Sequence, residues 1–170
     1  MSDEKSSLIS QLPDSARFFL SAPNECNYIP TCQARTLFVD PEGLMTPTLY
    51  SQLANLGFRR SGNQVYRHFC DNCHECKAVR VPVNDFSGRR IDRRTQQKNS
   101  DLKIIRKPAE YDKEHFALYC KYLNARHTGS SMCETTPNDY REFFFSDWCK
   151  TELLEFRTLQ DKLVAVAVTD

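Results

Sequence analysis

The chain reads as an α+β protein in two parts. A small cysteine-bearing module takes up residues 1–100, and a β-α-α-β-β half takes up residues 101–170. Three observations predict this division. Short β-branched runs alternate with glycine and proline turns. Two helical patterns fall in the second half. Three of the eight cysteines, and more than half of the 23 lysines and arginines, crowd into the middle of the chain.

The elements follow in order. Residues 1–13 read as a loose polar arm. Asp14 to Phe38 holds Cys26-Asn27-Tyr28-Ile29-Pro30 and then Cys32. Asp40-Pro41-Glu42-Gly43 is a turn. Thr46-Pro47 opens a helix, with Thr46 as N-cap and Pro47 in the first helical position; Leu49, Leu53 and Leu56 form its apolar stripe and Gly57 stops it. Phe58 to Arg60 and Gln64 to Arg67 flank Ser61-Gly62-Asn63 as a hairpin, and a cysteine loop hangs from its second strand. Val79, Val81 and Val83 alternate with Arg80 and Pro82, which predicts an edge or bulged strand. Asp85 to Asn99 is basic and reads as a helix or an ordered loop.

In the second part Leu102 to Lys107 is a strand that Pro108 ends. Tyr111 to His127 is an amphipathic helix with Phe116, Tyr119, Cys120 and Leu123 on one face, which makes Cys120 a core residue. Thr136-Pro137 opens another helix through Tyr140, Phe143 and Phe144. Leu153 to Leu159 and Leu163 to Val168 are strands joined at Gln160-Asp161. The run Val164-Ala165-Val166-Ala167-Val168 predicts a central, doubly buried strand. A chain reaching Asp170 just after such a strand predicts a protein that continues further.

Net charge is +1, so the overall balance predicts no partner. Its distribution does. Arg59 to Lys107 holds 13 basic and 5 acidic residues, an excess of +8, while the rest of the chain carries −7. A basic centre between acidic flanks suits a polyanion; a solvated face is the plain alternative. The first ten residues carry no apolar signal core, and the longest aliphatic run, Leu163 to Val168, is too short to span a bilayer. A cytoplasmic protein with no membrane partner is the expectation. In that reducing setting, clustered cysteines read as metal or redox sites rather than disulfides.

The cluster is Cys70-x-x-Cys73-x-x-Cys76. Two overlapping C-x-x-C steps offer soft donors a short turn apart, a spacing that suits zinc or a [4Fe–4S] cluster. A closed site wants a fourth ligand. Cys26 is the first choice, with Cys32, His68 and His74 behind it; unmetallated thiols are the alternative. Among the basic residues, Arg59 and Arg60 point to opposite faces of one strand, and Arg80 belongs on a solvated face. Arg89, Arg90, Arg93, Arg94 and Lys98 would gather along one side of a helix and suit nucleic-acid phosphates. G-x-S-x-G, P-loop and dinucleotide fingerprints are missing from the sequence. No nucleotide cofactor is therefore indicated. His115 and His127 read as surface histidines.

These motifs resemble the aminoacyl-tRNA–protein transferases of the N-degron pathway. The resemblance rests on Cys26-x-Tyr28-Ile29-Pro30, Gly57-Phe58-Arg59-Arg60-Ser61-Gly62, Tyr66-Arg67, the cysteine triplet, Arg80-Val81-Pro82-Val83, Lys98-Asn99-x-Asp101-Leu102 and Tyr119-x-x-Tyr122-Leu123-x-x-Arg126-His127. The even triplet looks like the bacterial branch, which moves leucine onto N-terminal Asp or Glu. Ile29 stands where the arginyl branch typically has a second cysteine. The resemblance implies an N-acetyltransferase-like α/β domain over residues 101–170, present as its front half. It also implies aminoacyl-tRNA and proteins starting with Asp or Glu as partners. An α-amine with a pKa of about 8 would attack the aminoacyl ester, and an arginine would pair the acceptor carboxylate. Arg59 or Arg60 is expected in that role, with Arg80 in reserve; no catalytic base is assigned.

Three other readings compete. The first has arginine, in place of leucine, as the group transferred. A zinc-ribbon-like nucleic-acid-binding module explains the cysteines but leaves the second half without a role. An acetyl-CoA-dependent N-acetyltransferase would need a glycine-rich pyrophosphate turn, which the sequence lacks.

Overall fold

The computed structural model describes residues 3–129 and 131–170, which form two compact units, Met1–Arg80 and Val81–Asp170. Among the described residues it is a mixed α and β protein with five α-helices and three sheets. Among the described residues no helix is long and apolar enough to cross a membrane.

The first unit opens with α1 (Asp3–Gln11), in place of the expected loose arm. Tertiary contacts explain the difference. Leu8 is buried, and Lys5 donates from Nζ to the Asp71 carbonyl at 3.0 Å while lying 4.9 Å from the Phe69 ring centre. A polar nine-residue helix is marginal alone, but packing on the cysteine loop holds it.

Next come β1 (Phe18–Leu20), β2 (Asn24–Glu25), β3 (Gln33–Ala34), β4 (Thr36–Val39), α2 (Pro47–Asn55), β5 (Arg59–Ser61) and β6 (Gln64–His68). Strands β1, β4, β6 and β5 form an antiparallel sheet in that order, and β2 pairs with β3 alone. Leu37 and Val39 alternate inward on β4 and are buried, as are Leu49, Leu53, Phe58 and Val65. The cap on α2 forms as the sequence predicts: Thr46 Oγ1 accepts from the Leu49 N–H. Gly57 ends that turn at φ +84°, and a Cβ there would lie 3.1 Å from that of Ala78. Only glycine combines that backbone with so close an approach.

The expected strand over Val79 to Val83 does not form. Val79 and Val83 are 91% and 85% exposed, and the chain there is irregular before a 3₁₀ turn at Val83–Asp85. Alternation of valines does not make a strand without an edge to pair with, and Pro82 lacks the donor a ladder needs.

The second unit comprises α3 (Arg90–Lys98), β7 (Lys103–Pro108), α4 (Lys113–Arg126), α5 (Pro137–Phe144), β8 (Glu152–Arg157) and β9 (Leu163–Thr169). From β7 onward this is the predicted β-α-α-β-β order. Asp112 caps α4 and Thr136 caps α5. Cys120, expected in the core, is half-buried on α4. Tyr140 is the centre of an aromatic cluster, with ring centres of Phe116, Tyr119 and Phe144 at 5.8, 5.5 and 4.9 Å. Burial is the main cause of a Tyr140 phenol pushed up to about 12, with the nearby charge of Asp112 adding to it.

The sheet order is β7-β8-β9, all antiparallel. This corrects the expectation of a doubly buried C-terminal strand. Here β8 is central and β9 lies at the edge, with Val164 and Val168 exposed. The ladder slips between Phe156 and Arg157, with Val164 as the extra residue. An unbroken aliphatic run is compatible with a central strand, but pairing order decides which strand holds the centre.

Candidate functional site

The first unit carries two cavities that share a wall. Hairpin β2–β3 brings Cys26 and Cys32 together, with the Cys26 N–H donating to the Cys32 carbonyl at 3.1 Å. The Ile29 N–H donates to Cys26 Sγ at 3.4 Å. The loop after β6 is anchored on the residue preceding β4: the Phe69 N–H donates to the Arg35 carbonyl at 2.8 Å, and Arg35 meets the Asp71 carboxylate at 3.3 Å.

Cys26, Cys70, Cys73 and Cys76 line one cavity of 490 Å³. Cys32 and His68 line it too. The other three thiols act on Cys76. Burial first, then Cys70, Cys26 and Cys73, push the Cys76 thiol up, against a smaller pull from Arg59. The fold thus brings Cys26 to the triplet across 44 residues of sequence or more. In donor chemistry the set suits a thiophilic ion. It stands open, however: among the described residues no group of three or more His, Cys, Asp or Glu is arranged to hold a metal ion. His74 lines a second cavity of 470 Å³ on the other side of the triplet.

The arginines divide as strand alternation demands. Arg59 lines the four-thiol cavity, with its guanidinium 5.8 Å from the Tyr66 ring centre. Arg60 turns away and donates weakly to the Gly62 carbonyl at 3.5 Å. Arg80 lines the second cavity and donates to the Asn55 side chain. Arg67, which sequence reasoning does not single out as a site residue, lines both cavities and donates to the Leu56 carbonyl. Burial and then the charge of Arg59 hold the His68 imidazole below its usual pKa.

Helix α3 gathers Arg90, Arg93, Arg94 and Lys98 within one broad face, as a step of about 100° per residue requires. All four are exposed, as is Arg89. The start of the helix is fixed by Asp92, whose carboxylate accepts from the Arg89 N–H at 2.8 Å, and Arg93 donates to the Gly88 carbonyl at 2.7 Å.

The second unit holds a site that sequence reasoning missed. His115, expected on the surface, is 4% exposed, and its Nε2 lies 2.7 Å from Oε1 of Glu155, itself 2% exposed. The other Glu155 oxygen accepts from Arg157 Nε at 2.7 Å, and Arg157 reaches Glu114 at 2.6 Å. The Arg157 hydrogen bond is the main reason the Glu155 carboxyl falls to about 2, with His115 assisting against desolvation. His115 Nδ1 is buried without a hydrogen-bond partner among the described residues. His115 also lines a 350 Å³ groove with Tyr119, Tyr122, Tyr140 and Val166. One signal for this site is present in the sequence. Glu155 alternates with the buried Leu153 on β8, and a carboxylate on a buried strand face needs a partner.

Comparison with known proteins covers both units. Residues 24–94 match the family model described as arginine-tRNA-protein transferase, N terminus, and residues 114–170 match its C terminus. An aspartate/glutamate leucyltransferase of Alkalilimnicola ehrlichii is 42% identical, over 98% of this chain and 68% of its own length. Proteins of the same name from Nitrosococcus oceani and Chromohalobacter salexigens are 44% and 43% identical, over 90% and 95% of this chain. The chain covers 64% and 65% of those two relatives, so it spans about two thirds of the length of the proteins it matches. With both halves matched in order, the chain belongs to the arginine-tRNA–protein transferase family of aminoacyltransferases, alongside relatives named aspartate/glutamate leucyltransferase.

Proposed function

We propose that this protein moves leucine from leucyl-tRNA onto the α-amine of proteins that begin with Asp or Glu, marking them for degradation through the N-degron pathway. The observation that carries the reading is continuity: one leucyltransferase relative aligns with 98% of the chain, so the cysteine cavity and the second unit belong to one enzyme type. In this reading residues 101–170 are the front of an N-acetyltransferase-like acyltransferase domain, and the protein works in the cytoplasm.

The chain's own residues supply binding and orientation. Arg59, on the wall of the four-thiol cavity, pairs with the acidic side chain of the acceptor. Arg60 and Arg80 are the further candidates for that contact, and both already hydrogen-bond within the unit. The exposed basic face of α3, with Arg89, Arg90, Arg93, Arg94 and Lys98, takes tRNA phosphates; such contacts supply charge without reading sequence. Cys26, Cys70, Cys73 and Cys76 hold zinc or a [4Fe–4S] cluster, and a bound ion would tie the β2–β3 hairpin to the loop after β6. Their shared cavity and the effect of the other three on Cys76 support that assignment.

The test is a transfer assay with labelled leucyl-tRNA and peptides starting with Asp, Glu or Ala. Leucine appears on the Asp and Glu peptides and not on Ala. Failure to modify either acidic peptide overturns the reading.

A further inference from the structure

We propose that His115 is the proton acceptor of the transfer step, oriented by Glu155. The inference rests on the leucyl-transfer reading for its substrate, and on the geometry of the second unit for its chemistry.

An ionised Glu155 has no proton to give, so at 2.7 Å from it the Nε2 atom of His115 must donate. In the neutral imidazole this places the proton on Nε2 and leaves the lone pair on Nδ1. Ionisation of Glu155 is secured from its other side by Arg157, which is held in turn by Glu114. Nδ1 is then a buried acceptor with no donor among the described residues to occupy it. A buried acceptor without a donor carries a desolvation cost, which packing alone gives no reason to keep. A carboxylate that orients an imidazole, leaving its far nitrogen free, is the arrangement that general-base catalysis uses.

His115 lies on the wall of the groove, which can bring a reacting group beside its ring. Among the described residues, the titratable groups that face His115 or lie in that groove are Glu155 on β8, Tyr119 and Tyr122 on α4, and Tyr140 on α5. Tyr140 and Tyr119, both held above the usual phenol range, stay neutral and do not compete as bases near neutral pH.

The step balances without any further reagent. The neutral α-amine of the acceptor attacks the leucyl ester carbonyl and forms the C–N bond. Its surplus proton passes to His115 Nδ1. The tetrahedral intermediate collapses, the bond to the tRNA 3′ oxygen breaks, and the imidazolium returns the proton to that oxygen. The products are a peptide bond, a free 3′-hydroxyl and neutral His115. Glu155 touches no reacting atom and is a positioning residue.

The experiment has two arms. With histidine nitrogens labelled in the full chain, nitrogen NMR near neutral pH should show His115 protonated on Nε2 and bare on Nδ1. A proton on Nδ1 overturns the proposal whether or not the protein transfers leucine. In the transfer assay His115→Gln, which can still donate to Glu155, should lose about 10²-fold or more in kcat. Its remaining rate should rise with pH only as the acceptor amine deprotonates, without the imidazole limb of the wild-type profile. Glu155→Gln should lose less rate than His115→Gln and should show a changed His115 tautomer signal. A His115→Gln protein that melts like wild type and keeps its kcat and pH profile overturns the proposal. Absence of transfer by the wild-type chain contradicts the leucyl-transfer reading, and the NMR arm still decides the tautomer.

Discussion

The two units place their polar chemistry in opposite ways. In the first, four thiols and Arg59 line an open cavity formed largely by irregular loops, and Cys76 is exposed. In the second, His115 and Glu155 are almost wholly buried between a helix and the central strand. Loops suit a ligand cavity, because backbone N–H groups such as that of Ile29 can turn toward sulfur and the donors can close on an ion. A regular scaffold suits the buried pair, because an imidazole must be held in one tautomer and one orientation. An open ligand cavity and a fixed proton-transfer group ask for different rigidity, and the two candidate sites differ in that way.

The largest expected effect lies at Glu155, where the rigid unit is most exposed to damage. Glu155→Ala leaves Arg157 and His115 without their shared buried partner and should cost about 3–5 kcal/mol of stability, read by denaturant melts. The pH dependence has a definite sign. A carboxyl held low in the fold stabilises fully above its unfolded pKa of about 4.3 and loses that contribution as pH falls through its folded value. With Glu155 at about 2, the gap between wild type and Glu155→Ala should narrow as the pH drops below about 4.3 toward 2. A gap that is flat across that window would remove Glu155 from the origin of acid stability.

A middle-sized effect probes the open unit. Cys73→Ser should abolish the metal content or visible absorption of protein purified without oxygen, and should leave the His115 tautomer signal unchanged. Equal metal in the variant would strike Cys73 from the donor set. A smaller effect belongs to α3: Arg93→Ala with Arg94→Ala should weaken tRNA binding and lower the salt slope of log affinity by roughly 1 for each phosphate no longer bound, at unchanged melting temperature. An unaltered slope would take that face off the tRNA. The smallest change is Glu114→Ala. Its contact with Arg157 is half exposed on the Glu114 side, so about 0–1 kcal/mol is expected in a denaturant melt.

What the sequence made legible was local. Thr46 and Thr136 cap their helices, Gly57 and Gly62 adopt positive φ, and the Ser61-Gly62-Asn63 hairpin forms. Those features depend on neighbours a few residues away. What stayed hidden depended on distant partners. Lys5 reaches Asp71, so a polar arm becomes a docked helix. His115 meets Glu155 at a separation of 40 residues, so a histidine with no visible neighbour becomes the centre of a buried network. The valines at 79, 81 and 83 show the converse, a strand-like pattern with no strand to pair with. The cysteine triplet was legible because its spacing is local. The approach of Cys26 to it depends on chain topology, through the β2–β3 hairpin and the loop after β6, and no spacing rule encodes it.

The most direct measurement charges tRNA separately with leucine and with arginine and offers each to an Asp-starting peptide in the presence of this protein, followed by mass spectrometry of the peptide N-terminus. A leucine adduct should form, and none with arginine. An arginine adduct, or an unmodified peptide with both donors, would contradict leucyl transfer as the activity of this chain.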